Sequence, residues 1–199
     1  KEDVRDEAID AIKKETENMK QLMENLLLLA RGDDSELKQE EELFNFNNLI
    51  KKIVKEFKLM EADINLSFEE NTKIKFYGDK NLFRQLFRIF LDNAVKFTQS
   101  GKIVFGYRMR KTQSGKTIEF YVQDTGIGMS KEQQKHIYEI FRKMDHNHTG
   151  YSSGTGIGLS ICKKLVEGLE GNIWVDSDAG NGSTFYFTLP YYEVKNFSF

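Results

Sequence analysis

The stretch FLDNAVKFT, from Phe90 to Thr98, interrupts an otherwise apolar helix with an amide and a cation. Asn93 and Lys96 are spaced so that their side chains share one face of the predicted helix. A polar group that is buried without a partner costs free energy. What this face contacts depends on two glycine-rich segments further along the chain.

Two glycine-rich segments are candidates for the rest of the site. DTGIG, from Asp124 to Gly128, follows an alternating strand, where a carboxylate can accept a hydrogen bond from an exocyclic amine and glycines allow a sharp turn. GTGIGLS, from Gly154 to Ser160, precedes a helix, and its backbone N–H groups favour an anion. It lacks the ending of a P-loop and the spacing of the dinucleotide fingerprint. Taken singly, DTGIG is equally typical of an ordinary strand-ending turn.

Composition limits the class of protein. The 199 residues are 39% hydrophobic and 30% charged, a balance typical of globular domains. The net charge of −2 and the lack of a basic block interleaved with aromatics argue against nucleic-acid binding. The single cysteine, Cys162, excludes an internal disulfide and fits a reducing compartment. No apolar run approaches the ~20 residues that span a bilayer, and no zinc-ligand spacing is present.

The N-terminal region is predicted to be separate from the main domain. Residues 1–31 form one predicted helix, in which apolar residues alternate three and four apart. The apolar stripe is wide enough to favour an intermolecular bundle, although packing on the chain's own domain stays open as the alternative. Residues 32–43 are acidic and polar and are predicted to be a linker, and residues 192–199 a tail. Because the periodic pattern is already present at Lys1, we expect a fragment of something longer.

Residues 44–191 are predicted to form the main domain. Helices are expected over about 45–61, 80–98 and 158–169, and strands over about 64–68, 74–77, 102–110, 117–123, 172–177 and 183–189. Asn45 is a predicted N-cap, and TQSGK at 112–116 is a predicted hairpin turn. The order of elements indicates an α+β fold, a two-layer sandwich with a mixed, mostly antiparallel sheet covered on one face by helices.

Taken together and in this order, Asn93 and the two glycine segments resemble the ATP-binding catalytic domain of bacterial sensor histidine kinases. These kinases share a superfamily with gyrase B, MutL and the heat-shock chaperone ATPases. GTGIGLSICKKLVEGLEGNIWVDSDAGNGSTFYFTLP, residues 154–190, is similar to the family pattern along its whole length. ETENMKQLMENLLLLAR, residues 15–31, resembles the second helix of the dimerisation and phosphotransfer hairpin.

The resemblance implies a binding site for ATP and Mg²⁺. Asn93 would hold Mg²⁺ against the triphosphate, Lys96 would reach phosphate, and Phe97 would lie against the adenine. Asp124 would read the adenine amine. The other implied ATP-binding positions are Gly126 and Gly128 as lid hinges, Phe141 at the start of the lid, Gly154, Gly156 and Gly158 on the phosphates, Leu159 behind them, and Thr184 in the adenine pocket. For Phe97, Phe141 and Leu159, ordinary core packing stays the alternative.

The implied activity is transfer of the γ-phosphoryl group to a histidine on the hairpin of a homodimer, and from there to an aspartate of a response-regulator receiver domain. The resemblance also implies a cytoplasmic location, with any membrane anchor supplied by segments outside this chain. The acceptor histidine belongs on the first hairpin helix, before Lys1. His136, His146 and His148 lie near or inside the predicted lid, Ser130–Ser153, so we assign no catalytic residue and expect no autophosphorylation by this chain alone.

Ile89 departs from the pattern that the resemblance implies. Most sensor kinases carry a second asparagine four residues before the one matched by Asn93, and the hydrolysing relatives carry a glutamate that acts as a general base. Isoleucine supplies neither group. This disfavours an ATPase of the chaperone or topoisomerase type. It also keeps open a degenerate pseudokinase module that binds nucleotide and acts through conformation and interaction.

Overall fold

The structure is a computed structural model of the chain. It describes residues 41–60, 64–70, 74–112, 115–142 and 156–191, together with separate positions between 5 and 27. The chain divides into two compact units, Lys1–Leu37 and Lys38–Phe199. The predictions for Gly154, His146, His148, most of the linker and the tail lie outside the described residues.

In the first unit, the described positions between 5 and 27 are helical, as the heptad pattern predicts. Apolar side chains on it are exposed, with Ile12 at 66%, Met19 at 65% and Met23 at 59% of their full accessible area. A stripe of this kind needs a covering partner to become stable. Its identity as a hairpin helix stays a prediction.

The second unit alternates strands and helices. Its elements are β1 (Glu41–Asn45), α1 (Phe46–Met60), β2 (Ile64–Glu69), β3 (Lys75–Asp79), α2 (Lys80–Phe97), β4 (Gly101–Thr112), β5 (Gly115–Asp124), α3 (Lys131–His136), α4 (Gly158–Gly168), β6 (Asn172–Ser177) and β7 (Ser183–Pro190). Among the described residues, no helix combines the length and the apolar character that crossing a membrane requires.

The predicted mixed, mostly antiparallel sheet is confirmed. Five strands follow the order β2-β4-β5-β7-β6, in which only the β2–β4 pair is parallel. Strands β1 and β3 form a separate antiparallel pair. The predicted hairpin is also present, since Thr112 pairs with Gly115 across the turn between β4 and β5.

The linker prediction is wrong at its C-terminal end, because β1 begins at Glu41 and not after residue 43. The strand forms because its backbone pairs with β3 and because Phe44 packs against Phe76 and Phe83, with ring centroids 6.1 and 5.6 Å apart. The predicted cap is confirmed: the side chain of Asn45 accepts a hydrogen bond from the Asn48 N–H at 3.1 Å.

An aromatic core fixes α2 on the inner face of the sheet. The ring of Phe87 lies 5.0 Å from Phe105 and 5.5 Å from Phe120, and Phe90 stacks on Phe187 at 5.2 Å. Each such pair contributes about 0.5–1.5 kcal/mol beyond burial of its area. This packing holds the next turn of α2, which carries Asn93, at the end of the sheet where β5 and β7 meet the glycine segments.

Candidate functional site

A cavity opens between α2, the loop after β5, the start of α4 and the beginning of β7. Its volume, including space open to solvent, is about 360 Å³. The lining residues are Asn93, Phe97, Asp124, Ile127, Gly128, Met129, Leu159, Ser183 and Phe185. Five of the predicted binding residues therefore come together from three distant parts of the sequence.

Asp124 lies at the end of β5 and is only 5% exposed. Its Oδ1 accepts hydrogen bonds from the backbone N–H of Gly126 at 2.8 Å and of Ser183 at 3.3 Å. Burial raises the pKa of this carboxyl above its usual value, and the two backbone bonds oppose the rise. Both bonds end on Oδ1. Oδ2 is therefore the oxygen that suits an amine donor in the cavity.

The loop after Asp124 is held by close backbone contacts. A Cβ on Gly126 would lie 2.1 Å from the carbonyl oxygen of Phe97, which also accepts a hydrogen bond from the Ile127 N–H at 3.2 Å. Gly128 has φ +62°, and a Cβ there would lie 1.9 Å from the carbonyl oxygen of Asp178. These contacts leave no room for a side chain at either position, and the hinge role of both glycines stays a prediction.

Asn93 projects from α2 into the cavity. Its Nδ2 donates a hydrogen bond to the carbonyl oxygen of Ile89 at 2.8 Å, one turn earlier in the same helix. Since Nδ2 is engaged, Oδ1 is the atom of the carboxamide that is suited to a ligand. Lys96 does not line the cavity; its Nζ lies 5.0 Å from the centroid of the Phe97 ring, a cation–π distance.

The predicted lid begins with a helix that the sequence analysis missed. Ser130 caps α3 through a capping box with Gln133. On this helix the ring of His136 contacts Glu139 at 2.5 Å and Glu132 at 3.4 Å, and both carboxylates raise its pKa. His136 is thus engaged by two acidic neighbours at the surface.

Phe141 does not line the cavity, contrary to the predicted role. Its side chain is 68% exposed and its φ is +63°. The Phe141 N–H donates to the carbonyl oxygen of Gly156 at 3.1 Å. Gly156 has φ +70°, and a Cβ there would lie 2.7 Å from the carbonyl oxygen of Arg142. Gly156 is therefore bonded to Phe141 and is not among the residues that line the cavity.

The prediction for Thr184 is wrong by one residue. Side chains alternate along a strand, and in β7 the cavity receives Ser183 and Phe185 while Thr184 lies on the other face, opposite Gln123 and Asp176. The pairing of Asp124 with Ser183 across β5 and β7 is the feature that brings Ser183 to the site.

Sequence reasoning also missed Ile127, Met129 and Phe185. Met129 is held because its N–H donates to Ser177 Oγ at 2.8 Å, and that hydroxyl also contacts Ser183 Oγ at 3.0 Å. Hydrophobic residues between and after the glycines of DTGIG are the only sequence signal for two of these positions. Phe185 follows from strand alternation once Ser183 is assigned.

The metal-ligating atoms around the cavity suit a metal ion that is bound mainly by the oxygens of a nucleotide and of water. Among the described residues, no three His, Cys, Asp or Glu side chains cluster as a metal site. Mg²⁺ commonly takes one or two protein oxygens together with water and phosphate oxygens. Asn93 Oδ1 fits such a role, whereas a cation bound by protein groups alone would need more oxygen ligands.

Comparison with known proteins gives a consistent family. The family model for the histidine kinase-, DNA gyrase B- and HSP90-like ATPases matches residues 78–193 of this chain. The chain is 35% identical over 189 residues to the adaptive-response sensory kinase SasA of Thermosynechococcus vestitus, covering 89% of this chain and 47% of that protein. It is 31% identical to the sensor protein kinase WalK of Staphylococcus saprophyticus, covering 92% of this chain and 30% of that protein. The chain thus spans less than half the length of either relative.

Solved structures share the fold. The catalytic domain of the histidine kinase ThkA, in a nucleotide-free form, aligns with a TM-score of 0.61 at 27% identity, covering 76% of this chain and 95% of that one. Full-length ShkA in complex with AMPPNP aligns with a TM-score of 0.75 at 23% identity, covering 90% of this chain and 37% of that one. With more than half of its residues matched by the family model, the chain belongs to the histidine kinase-, DNA gyrase B- and HSP90-like ATPases.

Proposed function

We propose that this chain is the part of a sensor histidine kinase that binds Mg-ATP and positions it for transfer of the γ-phosphoryl group to a histidine on a dimerisation hairpin. The observation that carries the proposal is one cavity with a buried carboxylate, Asp124, and a helix-borne carboxamide, Asn93. Residues 1–31 contain no histidine, so the acceptor would be supplied by residues outside this chain.

Each end of the cavity would recognise a different part of the nucleotide. Asp124 would accept a hydrogen bond from the exocyclic amine of adenine, because an ionised carboxylate is an acceptor only. Phe97, Met129 and Phe185 would enclose the base with apolar surface. Gly158 opens α4 near Asn93, so the N-terminal N–H groups of that helix would receive phosphate oxygens.

Bound Mg²⁺ would neutralise charge on the phosphates, and Asn93 Oδ1 would be its ligand from this chain. The protein's part in phosphoryl transfer is positioning and charge stabilisation. Ile89 is buried, at 4% exposure, and offers no oxygen to activate water. This supports transfer to histidine over steady-state hydrolysis of ATP.

A second candidate is a pseudokinase module that binds nucleotide without transferring phosphate. The observation that favours it is also Ile89, since the site has one carboxamide where a second would strengthen metal binding. An Ile89→Asn variant should then show higher Mg²⁺-dependent affinity for nucleotide, and an unchanged affinity would argue against this candidate.

The wider setting of the activity is part of the same proposal. The exposed apolar stripe near Met19 and Met23 supports a homodimer through the N-terminal helix. A receiver domain of a response regulator would accept the phosphoryl group from the histidine. The reaction would take place in the cytoplasm, where ATP is available.

Transfer can be tested with a separate polypeptide that carries a histidine-bearing hairpin. Incubated with this chain and labelled Mg-ATP, the hairpin should gain acid-labile, base-stable phosphohistidine. A hairpin with its histidine replaced by glutamine is the control and should stay unlabelled. No labelling, with nucleotide binding demonstrated in the same sample, would leave only the pseudokinase candidate.

A further inference from the structure

The first residue of α4 lies directly against one turn of α2. A Cβ built on Gly158 would be 3.0 Å from Cγ2 of Ile89 and 3.8 Å from Nδ2 of Asn93. The first of these distances is shorter than an ordinary van der Waals contact between carbon atoms. The absence of a side chain at Gly158 therefore allows α4 to approach this turn of α2 closely.

Ile89 contacts Asn93 through its backbone and Gly158 through its side chain. Its carbonyl oxygen accepts the hydrogen bond from Asn93 Nδ2 at 2.8 Å, and its β-branched side chain, 4% exposed, lies beneath Gly158. The backbone of Ile89 thus fixes the carboxamide, while its side chain sets how near the N-terminus of α4 can come.

We propose that Ile89 is a positioning residue that sets the spacing between Asn93 and the first turn of α4, and so the affinity for the phosphate end of the nucleotide. The inference rests on the proposed function and assigns a role to a residue that does not line the cavity. Affinity for an anion at a helix N-terminus depends on the position of its N–H groups. The adenine end should not respond, because Asp124 is held separately by Gly126 and Ser183.

The first test adds one methyl group at the contact. Gly158 lies in a helix and has no positive φ, so Gly158→Ala is compatible with its backbone while its Cβ meets Ile89 Cγ2. ADP affinity should fall about tenfold, a size usual for disturbed neighbouring contacts. Adenosine affinity, followed by NMR titration, should stay unchanged. Gly168→Ala is the matched control, since Gly168 ends the same helix and a Cβ there meets nothing within 4 Å.

The second test removes the opposing methyl group. Ile89→Leu keeps the side-chain volume but lacks the β-branch that bears Cγ2, whereas Ile89→Val retains it. Combined with Gly158→Ala, Ile89→Leu should restore most of the lost ADP affinity and Ile89→Val should not. Alone, Ile89→Leu should weaken ADP binding about threefold with adenosine binding unchanged, a readout available even if Gly158→Ala does not fold.

Three outcomes would overturn the inference. Strictly additive effects of the paired substitutions would show that the two residues are not coupled. An equal loss of ADP and adenosine affinity would indicate a merely structural role for Ile89. No ADP binding by the unmodified chain would contradict both the proposed function and this inference. The first two outcomes would contradict this inference alone.

Discussion

At the scale of single residues, the cavity depends on which side chains of β7 point inward. Ser183 and Phe185 line it and Thr184 does not. The family resemblance locates the GSTF motif but does not say which of its side chains point into the cavity, and we predicted Thr184 from it. The pairing of Asp124 with Ser183 determines which face of β7 points inward. A shift of one residue along a strand moves a side chain to the other face of the sheet.

The neighbouring pair Ser183 and Thr184 therefore provides a matched test. Ser183→Ala removes a hydroxyl that contacts Ser177 at the cavity wall, so nucleotide affinity should fall about threefold to tenfold. Thr184→Ala should leave affinity unchanged. Fluorescence titration with a labelled adenine nucleotide measures both. The reverse order of effects would contradict the orientation of β7.

Asp124 and Asn93 were predictable because a polar side chain in an apolar stretch stands out in the sequence. Asp124 and Asn93 are polar groups at the ends of apolar elements, and both line the cavity. The exposed position of Phe141 was not predictable, because its backbone N–H bonds to Gly156, a residue 15 positions further along the chain. Ile127 and Met129 carry no polar signal that marks them.

At the scale of elements, the β4–β5 hairpin carries a charged cluster on the sheet face opposite the helices. Glu119 on β5 is bonded to Arg108 and Arg110 on β4. Burial acts to raise the pKa of Glu119, but the bonds to Arg110 and Arg108 outweigh it and leave the pKa below its usual value. The cluster therefore stabilises the folded state when Glu119 is ionised.

Glu119→Gln should lower the free energy of unfolding by about 1 kcal/mol at pH 7, a value reduced because both arginines are half exposed. Because the folded-state pKa is depressed, the contribution is complete above the unfolded-state pKa and is lost as pH falls through the folded-state pKa. Urea unfolding at pH 7 and at pH 4 measures the difference.

Glu56→Gln is the control for the charged cluster, since Glu56 pairs with Arg84 at 3.5 Å and both side chains are about 40% exposed. It should change stability by a few tenths of a kcal/mol at most. A Glu119→Gln variant as stable as the unmodified chain at pH 7 would show that the cluster contributes nothing.

The boundaries of several helices and strands followed closely from periodicity. β6, predicted over 172–177, agrees with the structure at both ends, and α2 ends one residue before the predicted position. β1 and α3 were missed for different reasons. β1 is specified by pairing with a distant strand, and α3 has too few residues to show an apolar period.

At the scale of the whole molecule, the N-terminal helix presents apolar side chains that its own unit leaves exposed. We expect the chain to self-associate through this stripe in a concentration-dependent manner. Met23→Glu should shift the species toward monomer, because a charge in an apolar seam has no partner. Ala11→Glu, on the same helix but off the seam, is the control. Light scattering over a wide concentration range gives the mass, and a monomer at all concentrations would contradict the expectation.

The central claim is that the cavity binds an adenine nucleotide through Asp124, and calorimetric titration of ADP with and without Mg²⁺ tests it most directly. The unmodified chain and the control Asp176→Ala, on the outer face of β6, should bind with the same affinity. Asp124→Ala should lose at least tenfold, because it removes the buried acceptor for the adenine amine. Binding that survives Asp124→Ala unchanged, or no binding by the unmodified chain, would contradict the account.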